Sequence, residues 1–200
     1  MDAAAWDRRY ADTARAFSSD PLTLVVELVA PLDAGRALDL AAGAGRNALW
    51  LAQRGWQVTA VDFSGVGLER AAGRAAELGV ELGQVHADLY DYRPPAAAFD
   101  LVLIAYMHPQ AAKRPAVFEA AAAAVSPGGH LLVIGFDVSD PHHGGGPAEP
   151  ERRFSVSRLS GGFPGIEIER CERLTRERQT PEGPLQAVDV FAWGRRPEGH

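Results

Sequence analysis

The sequence predicts an α/β protein with a Rossmann-like, doubly wound sheet and helices on both faces, in a three-layer α/β/α arrangement. Short apolar runs alternate with amphipathic stretches, and glycine-bearing turns join them, as in sheets built from strand–helix–strand units. Residues 99–105 form a nearly continuous apolar run, which is typical of a central parallel strand. The length of 200 residues suits one domain with a substantial core.

The parallel part of the sheet is predicted to contain five strands. In chain order they are residues 36–41, 57–61, 81–86, 99–105 and 130–136. Because helical stretches separate these runs, right-handed crossovers and parallel pairing are expected.

The predicted helices have recognisable start and stop signals. Asp20-Pro21 opens a helix through Ala30 that is expected to bury Leu22, Val25, Val26 and Val29. Residues 46–54 form the next helix, before Gly55, and residues 111–124 a later one. Ser64 caps a helix that stops at Gly79. The apolar face of that helix is expected to bury Leu68, Ala71, Ala72, Ala75 and Leu78.

The carboxy-terminal part has a different pattern. Residues 126–129 form a turn into the fifth strand, residues 139–150 form a glycine- and proline-rich loop, and a short helix lies near Ser157. Residues 166–176 and 185–193 have strand composition, and residues 180–184 join them as a turn. A terminal hairpin therefore places an antiparallel strand in the sheet.

Composition limits the function classes. The net charge of −6 disfavours nucleic-acid binding, and no apolar run reaches the length of a membrane span. The start of the chain has no signal-peptide pattern, and the single cysteine, Cys171, excludes an internal disulfide, so we expect a cytoplasmic protein. His142 and His143 adjoin aspartates, but adjacent histidines project differently, and no metal site is predicted.

The loop between the first strand and its helix contains a ligand-binding pattern. Gly43-x-Gly45-x-x-Ala48 fits the dinucleotide fingerprint, and Asp62 ends the second strand, where an acid can bind ribose hydroxyls. The carboxylate of Asp39 favours one of two possible nucleoside ligands, a dinucleotide or S-adenosylmethionine. Its carboxylate would repel a pyrophosphate, whereas it would attract the ammonium and sulfonium groups of S-adenosylmethionine.

These residues resemble the class I S-adenosylmethionine-dependent methyltransferases, over about residues 6–193. The first motif of that family is matched by Asp39, Ala41, Gly43 and Gly45, with Ala41 where the first glycine usually stands. An alanine suits that position if its backbone stays in an ordinary region. Trp6–Tyr10 and Gly45–Ala52 look like the small single-domain enzymes similar to tellurite- and thiopurine-type methyltransferases.

The resemblance implies the strand order 3-2-1-4-5-7-6 with the last strand antiparallel, and S-adenosylmethionine as cofactor. It implies a single domain over residues 1–200, with a helical lid at 1–32 and a substrate-side loop region at 139–165. By resemblance, Asp39 lies near the methionine ammonium, Asp62 binds the ribose and Asp88 faces the adenine amino group. The full implied set of cofactor contacts is Asp39, Ala41, Gly43, Gly45, Asn47, Asp62, Phe63, Ser64, Asp88, Leu89 and Ala105.

Candidate residues for the methyl acceptor follow the fourth and fifth strands or lie in flanking segments. Tyr106 and His108 are the predicted catalytic residues. Weaker candidates for contacting the acceptor are Trp6, Tyr10, Arg114, Phe136, Asp137 and Arg153. Tyr106 equally suits a wall that packs on the cofactor, His108 suits a bond to a carbonyl, and Asp137 suits a turn cap.

The predicted function is methyl transfer to a small-molecule acceptor: a thiol, a hydroxyl, an amine or a metalloid oxyanion. Three alternatives stay open at this point: an NAD(P)-dependent oxidoreductase, a methyltransferase-like protein that binds the cofactor without turnover, and a methyltransferase that acts on a protein. No nucleic-acid or membrane partner is expected, and the protein is expected to be a monomer or a homodimer.

Overall fold

The computed structural model of the protein describes residues 2–12, 18–140, 146–180 and 183–199. In these ranges it contains β1 (Arg36–Leu40), β2 (Gln57–Asp62), β3 (Gly83–His86), β4 (Phe99–Ala105), β5 (Val125–Phe136), β6 (Glu167–Thr180) and β7 (Gly183–Arg195). The helices are α1 (Ala3–Ala11), α2 (Thr23–Val29), α3 (Arg46–Gln53), α4 (Gly65–Leu78), α5 (Arg114–Ala124) and α6 (Val156–Leu159), with a 3₁₀ turn at Pro150–Arg152.

The seven strands form one sheet in the order β3-β2-β1-β4-β5-β7-β6. β2 pairs parallel with both β1 and β3, and β7 pairs antiparallel with both β5 and β6. The predicted Rossmann-like sheet, its strand order and its antiparallel end are thereby confirmed. The chain divides into two compact units, unit 1 (Met1–Arg93 with Ala98–Leu103) and unit 2 (Pro94–Ala97 with Ile104–His200).

In unit 1, the strand interiors and two helices form the core. Apolar side chains of β1 and β2 are buried with residues from α3 and α4, including Leu38, Val61, Leu51 and Leu68. Ser64 caps α4 by accepting a hydrogen bond from the Gly67 N–H at 3.1 Å, and Gly79 ends it in the left-handed conformation, as predicted.

Two helix predictions in unit 1 need correction. On α4, Ala72 and Leu78 are exposed, because the helix buries only the narrower stripe through Gly67, Leu68, Ala71 and Ala75. Helix α2 begins at Thr23 with Leu22 as its cap, not at Asp20. Because the helix begins later, its buried face contains Leu24, Val25 and Val29. Leu22 and Val26 are only half-buried.

In unit 2, β5 begins earlier than predicted. The expected turn at residues 126–129 continues the strand, because Gly128 donates to the Arg196 carbonyl and Arg196 donates to that of Gly129, extending the pairing beyond β7. Gly128 has φ +77, so the extended segment still needs its glycine. β6 and β7 are also longer than predicted, and residues 181–182 of the expected turn lie outside the described residues.

Among the described residues, no helix combines the length and apolar character needed to cross a membrane.

Gly45 supports helix packing as well as a tight turn, and its replacement is expected to destabilise the protein. It has φ +79, and an added Cβ would lie 2.9 Å from the Ala71 Cβ on α4. We expect Gly45→Ala to lower the free energy of unfolding by about 1–3 kcal/mol in a denaturant titration. The matched control is Gly73→Ala on α4, where an added Cβ meets nothing within 4 Å and stability should rise slightly. Equal stabilities of the two variants would contradict the packing role of Gly45.

Candidate functional site

The glycine loop between β1 and α3 is held in an unusual backbone conformation. Ala41, Gly43 and Gly45 all have positive φ, at 62°, 56° and 79°. An alanine suits position 41 of the motif without strain only if its backbone stays in an ordinary region. This condition is not met, because Ala41 adopts the left-handed conformation, which is strained for a residue with a Cβ.

Asp62, at the end of β2, ties this loop to the start of α4. Its Oδ2 accepts a hydrogen bond from the Gly43 N–H and its Oδ1 one from the Ser64 N–H, both at 2.8 Å. Burial raises the pKa of Asp62, and the backbone N–H groups that it binds oppose the rise. Asp62 therefore shapes the loop in addition to any contact it makes with a ligand.

Asp39, in β1, is a buried carboxylate with an unsatisfied oxygen. Its side chain is 1% exposed, and its Oδ2 has no hydrogen-bond partner. Burial raises the pKa of Asp39 to about 7, although the Arg46 charge and the Ala48 N–H favour its ionised form. An unpaired buried oxygen is costly, and a cationic hydrogen-bond donor would remove that cost.

Helix α1 lies over the glycine loop and the start of α4. A Cβ on Gly43 would collide with the Tyr10 hydroxyl, and one on Gly67 would lie 3.2 Å from the Tyr10 ring. The Asp7 carboxylate accepts a hydrogen bond from the Ser64 hydroxyl at 2.6 Å. Burial raises the pKa of Tyr10, and the Asp62 charge adds to that rise. Trp6 stacks on Tyr10 with 5.7 Å between ring centroids.

The structure thus brings Tyr10, predicted as an acceptor contact, against the loop assigned to the cofactor, and Trp6, predicted for the same role, stacks on Tyr10. Of the segment predicted as a lid, residues 1–32, the structure describes residues 2–12 and 18–32, which include α1 and α2. Residues 13–17 lie outside the described residues.

Several other predicted cofactor residues hold the local backbone. The Asn47 side-chain oxygen accepts a hydrogen bond from the Leu22 N–H at 3.0 Å, which anchors the start of α2. The Phe63 carbonyl bonds to the His86 ring at 3.0 Å. Asp88 is exposed, and its Oδ1 accepts a hydrogen bond from the Tyr90 N–H at 2.9 Å in an Asx turn. Leu89 beside it is buried.

In unit 2, Tyr106 follows the half-buried Ala105 at the end of β4 and has a strained backbone, with φ +57. Its hydroxyl donates a hydrogen bond to Asp189 Oδ2 at 2.6 Å, and its ring packs on Phe136 with centroids 4.9 Å apart. Asp189 is 1% exposed and forms an ion pair with Arg176.

His108 is buried with both ring nitrogens engaged. Its Nδ1 bonds the Arg152 carbonyl at 3.2 Å, and its Nε2 accepts the Phe136 N–H at 3.2 Å. Burial lowers the pKa of His108 to about 4, so the ring is neutral at pH 7 with its proton on Nδ1. His108 stacks on Phe136, packs against Phe154 in a tilted arrangement, and holds the end of β5 in place.

The remaining acceptor candidates also have local partners. Asp137 is fully buried, and its Oδ1 accepts hydrogen bonds from Ser139 N–H at 2.8 Å and from Arg173 at 3.1 Å, which is the turn-cap arrangement. The buried Arg153 donates to the Pro147 carbonyl at 2.9 Å, and Arg114 donates to that of Glu151.

No cluster of metal-binding side chains occurs in the part of the chain that the structure describes, and His142 and His143 lie outside that part.

The partnership of Asp189 and Arg176 was not predicted from the sequence. Asp189 stands alone as a charge within the apolar segment Ala187–Trp193 of β7. A lone carboxylate in an apolar strand was a usable signal, because such a group is rarely buried without partners. Arg176 carried no comparable signal, since it sits among alternating charges on β6.

A cavity of about 590 Å³ in unit 1 opens at the opposite edge of the strands from the glycine loop. Residues that begin the strands line it, among them Arg36, Gln57, Gly83 and Phe99. None of the predicted site residues contributes to it, so it does not bear on the nucleoside site.

Comparisons with known proteins agree with the fold. Residues 37–129 match the family model described as a methyltransferase domain, and no curated protein matches the sequence significantly. A protein of echinomycin biosynthesis, associated with conversion of a disulfide bond into a thioacetal group, is 23% identical with a TM-score of 0.75, over 90% of this chain and 83% of that chain.

Two further solved structures are similar. The N-methyltransferase NodS from Bradyrhizobium japonicum, in complex with S-adenosylhomocysteine, is 18% identical over 98% of both chains, with a TM-score of 0.73. TehB from Haemophilus influenzae is 16% identical with a TM-score of 0.73, over 97% of this chain but 66% of TehB. The family model agrees with the predicted resemblance to methyltransferases over residues 37–129, the solved structures agree with the predicted fold, and the matched domain implies S-adenosylmethionine as the cofactor.

The buried charge of Asp39 makes stability depend on pH. Between its ordinary pKa of 3.8 and its folded pKa of about 7, the folded protein holds a proton that the unfolded chain has lost. Stability therefore falls as pH rises through this window, and the full cost is present above about pH 7. We expect Asp39→Asn to raise the melting temperature at about pH 8 by about 4 °C or more, with little gain near pH 4. An equal effect at both pH values in thermal scans would exclude the proposed charge burial.

The backbone strain of the glycine loop can be tested by replacing Ala41. Because it has φ +62, Ala41→Gly should raise the free energy of unfolding by up to about 1 kcal/mol. Ala44→Gly in the same loop is the control, since Ala44 does not have a positive φ and its replacement should be neutral or destabilising. Loss of stability in Ala41→Gly would show that the strain is not present in solution.

Proposed function

Because this chain has the class I S-adenosylmethionine-dependent methyltransferase fold and a methyltransferase domain over residues 37–129, we propose that it transfers a methyl group from S-adenosylmethionine to a small-molecule acceptor. The observation that carries the proposal is the unsatisfied, buried Oδ2 of Asp39 beside the glycine loop. A ligand with an ammonium group supplies the donor and the positive charge that this oxygen lacks.

The residues of unit 1 fit this cofactor. Asp39 would receive the methionine ammonium, and the left-handed glycine loop would let the backbone approach the ligand closely. Asp62 would bind a ribose hydroxyl with its remaining acceptor capacity, since a carboxylate has about four lone-pair positions and the Gly43, Ser64 and Phe63 N–H groups bond to it. Phe63, Leu89 and Asp88 would border the adenine.

Tyr10 and Trp6 are assigned to the cofactor side in this proposal. Tyr10 covers Gly43, and Asp7 fastens α1 to the start of α4 through the Ser64 hydroxyl. A helix fastened over the loop would exclude water from the bound nucleoside and slow its release.

Bound S-adenosylmethionine supplies an activated methyl group on a sulfonium centre. The protein then needs to hold the acceptor in line and exclude water, and orientation of this kind supplies about 7–11 kcal/mol in favourable cases. In unit 2 we assign Tyr106 to contact with the acceptor, with the Phe136 ring beside it. His108 acts as a positioning residue, because its two nitrogens hold the Arg152 carbonyl and the Phe136 N–H.

Asp137 and Arg153 are proposed as residues that shape the acceptor side of unit 2. Asp137 Oδ2 and Arg153 Nη2 are buried atoms without hydrogen-bond partners. Arg114, which donates to the Glu151 carbonyl, would support the same segment from α5.

An NAD(P)-dependent oxidoreductase would need the same loop to take a pyrophosphate next to Asp39. That arrangement sets two negative charges near one another in a buried place, which disfavours it. Calorimetric titration of the protein with S-adenosylmethionine and with NADH separates the two functions. Binding of NADH alone would overturn the proposal.

The affinity for S-adenosylmethionine should depend on Asp62. Replacing it with alanine removes the ribose acceptor and loosens the Gly43 turn, so we expect at least about tenfold weaker binding in calorimetry. The control is Asp33→Ala, since Asp33 is exposed and precedes β1. Unchanged affinity in Asp62→Ala would remove Asp62 from the ribose contact.

A release assay for S-adenosylhomocysteine then tests turnover with thiols, phenols, amines and metalloid oxyanions as candidate acceptors. Tight cofactor binding without release for any acceptor class would favour a binding protein without turnover.

A further inference from the structure

We propose that Arg114, Arg153 and Arg158 form a binding site for a phosphate group, carried by the free ion or by a phosphorylated small molecule. All three residues belong to unit 2, and none of them is assigned to S-adenosylmethionine. The inference does not depend on the proposed function, because that cofactor carries no phosphate.

Two of the guanidinium groups are held side by side by the 3₁₀ turn. Arg114 begins α5, and its Nη2 donates to the Glu151 carbonyl. Arg158, in α6, donates through Nη1 to the Pro150 carbonyl at 3.0 Å. Pro150 and Glu151 are consecutive residues of the turn, so these bonds bring the two positive charges close together. Burial lowers the pKa of Arg114, and the Arg158 charge lowers it further, which agrees with this proximity.

Arg153 adds a third guanidinium from the buried side of the turn. It is 1% exposed, and its own carbonyl accepts a hydrogen bond from Arg158 Nη1 at 2.7 Å. Its Nε donates to the Pro147 carbonyl at 2.9 Å and its Nη1 to that of Asp140 at 3.4 Å, while its Nη2 is buried without a hydrogen-bond partner. A buried cationic donor without a partner destabilises the protein, and an anion is the partner that it lacks.

Carboxylates of the protein do not neutralise this cluster. In the part of the chain that the structure describes, Arg114, Arg153 and Arg158 form no ion pair, and Glu149 pairs with Arg152 at 3.8 Å. The hydrogen bonds of the three arginines go to backbone carbonyls, which accept protons but carry no net charge. Because like charges in a partly buried place repel one another, a bound oxyanion would stabilise the cluster.

The accessible part of the cluster suits a phosphate. Arg114 and Arg158 are both partly exposed, so a dissolved anion has access to them. A guanidinium presents paired N–H groups in a plane, which match two oxygens of a phosphate. The first turn of α5 contains no acidic residue, and the positive end of its dipole adds to the potential. A doubly charged phosphate balances more of this charge than a carboxylate does.

Titration with inorganic phosphate tests the site without a methyl acceptor. Phosphorus NMR measures the binding directly, with sodium chloride replacing phosphate to keep the ionic strength constant. We expect saturable binding by wild type, and at least about tenfold weaker binding by Arg114→Gln and Arg158→Gln. Arg158→Lys keeps the charge but loses the paired N–H groups, so its affinity should lie between those of wild type and Arg158→Gln.

Arg74→Gln on α4 is the matched control, since Arg74 is an exposed arginine of unit 1 and its replacement should leave the phosphate affinity unchanged. Circular dichroism checks that each variant is folded. Phenyl phosphate distinguishes the two sources of the group: tighter binding of the ester assigns the site to a phosphorylated small molecule, and tighter binding of inorganic phosphate assigns it to the free ion.

Absence of saturable phosphate binding in the millimolar range by folded wild type overturns the inference. So does an affinity of Arg114→Gln and Arg158→Gln equal to that of Arg74→Gln, because the phosphate would then bind elsewhere. Calorimetry with S-adenosylmethionine on the same samples reports separately on the proposed function.

Discussion

The buried carboxylate of Asp39, whose Oδ2 has no hydrogen-bond partner, is the constraint on which the proposed nucleoside site depends. A buried polar atom without a partner destabilises a folded protein, and in the proposed function the methionine ammonium compensates for that cost. The surrounding loop is built around that position: Ala41 and Gly43 adopt left-handed conformations, and Asp62 fixes the turn through the Gly43 N–H. In the proposed function, the bound cation removes this local cost in stability.

The Asp189 carboxylate in unit 2 has the opposite character. Asp189 is satisfied by Tyr106 and Arg176, so its role is to hold and orient a side chain. Asp39 and Asp189 thus differ: Asp39 has an oxygen without a hydrogen-bond partner, which the proposed function assigns to a ligand, whereas Asp189 is bonded to side chains of the protein. His108 resembles Asp189 in this respect, because both of its ring nitrogens are hydrogen-bonded and hold neighbouring backbone groups in place.

Much of the fold could be predicted from the sequence, because strand periodicity, the Ser64 cap and the left-handed Gly79 are local signals. The strand order followed from resemblance to a family. Errors arose where tertiary pairing decided the outcome, as at Gly128, whose hydrogen bond with Arg196 turns an expected turn into strand. The strain at Ala41 could not be read from composition, since an alanine gives no warning of its backbone angle.

For the site, residue types pointed to Asp39 and Asp62 but could not reveal which of their oxygens are satisfied. Asp189 was overlooked because its partner, Tyr106, lies 83 residues away in the chain. Such pairs become visible only when the strands that carry them are assembled.

Proton release on cofactor binding tests the central claim most directly. At about pH 6, the raised pKa of Asp39 leaves most of the free protein protonated at that carboxyl, and binding of the methionine ammonium favours its ionised form. Calorimetric titrations with S-adenosylmethionine in buffers of different ionisation enthalpy measure the exchange. We expect wild type to release close to one proton per bound cofactor, and Asp39→Asn to release none and bind far more weakly. Normal affinity in Asp39→Asn, with the same proton exchange as wild type, would contradict the assignment of Asp39 to the cofactor.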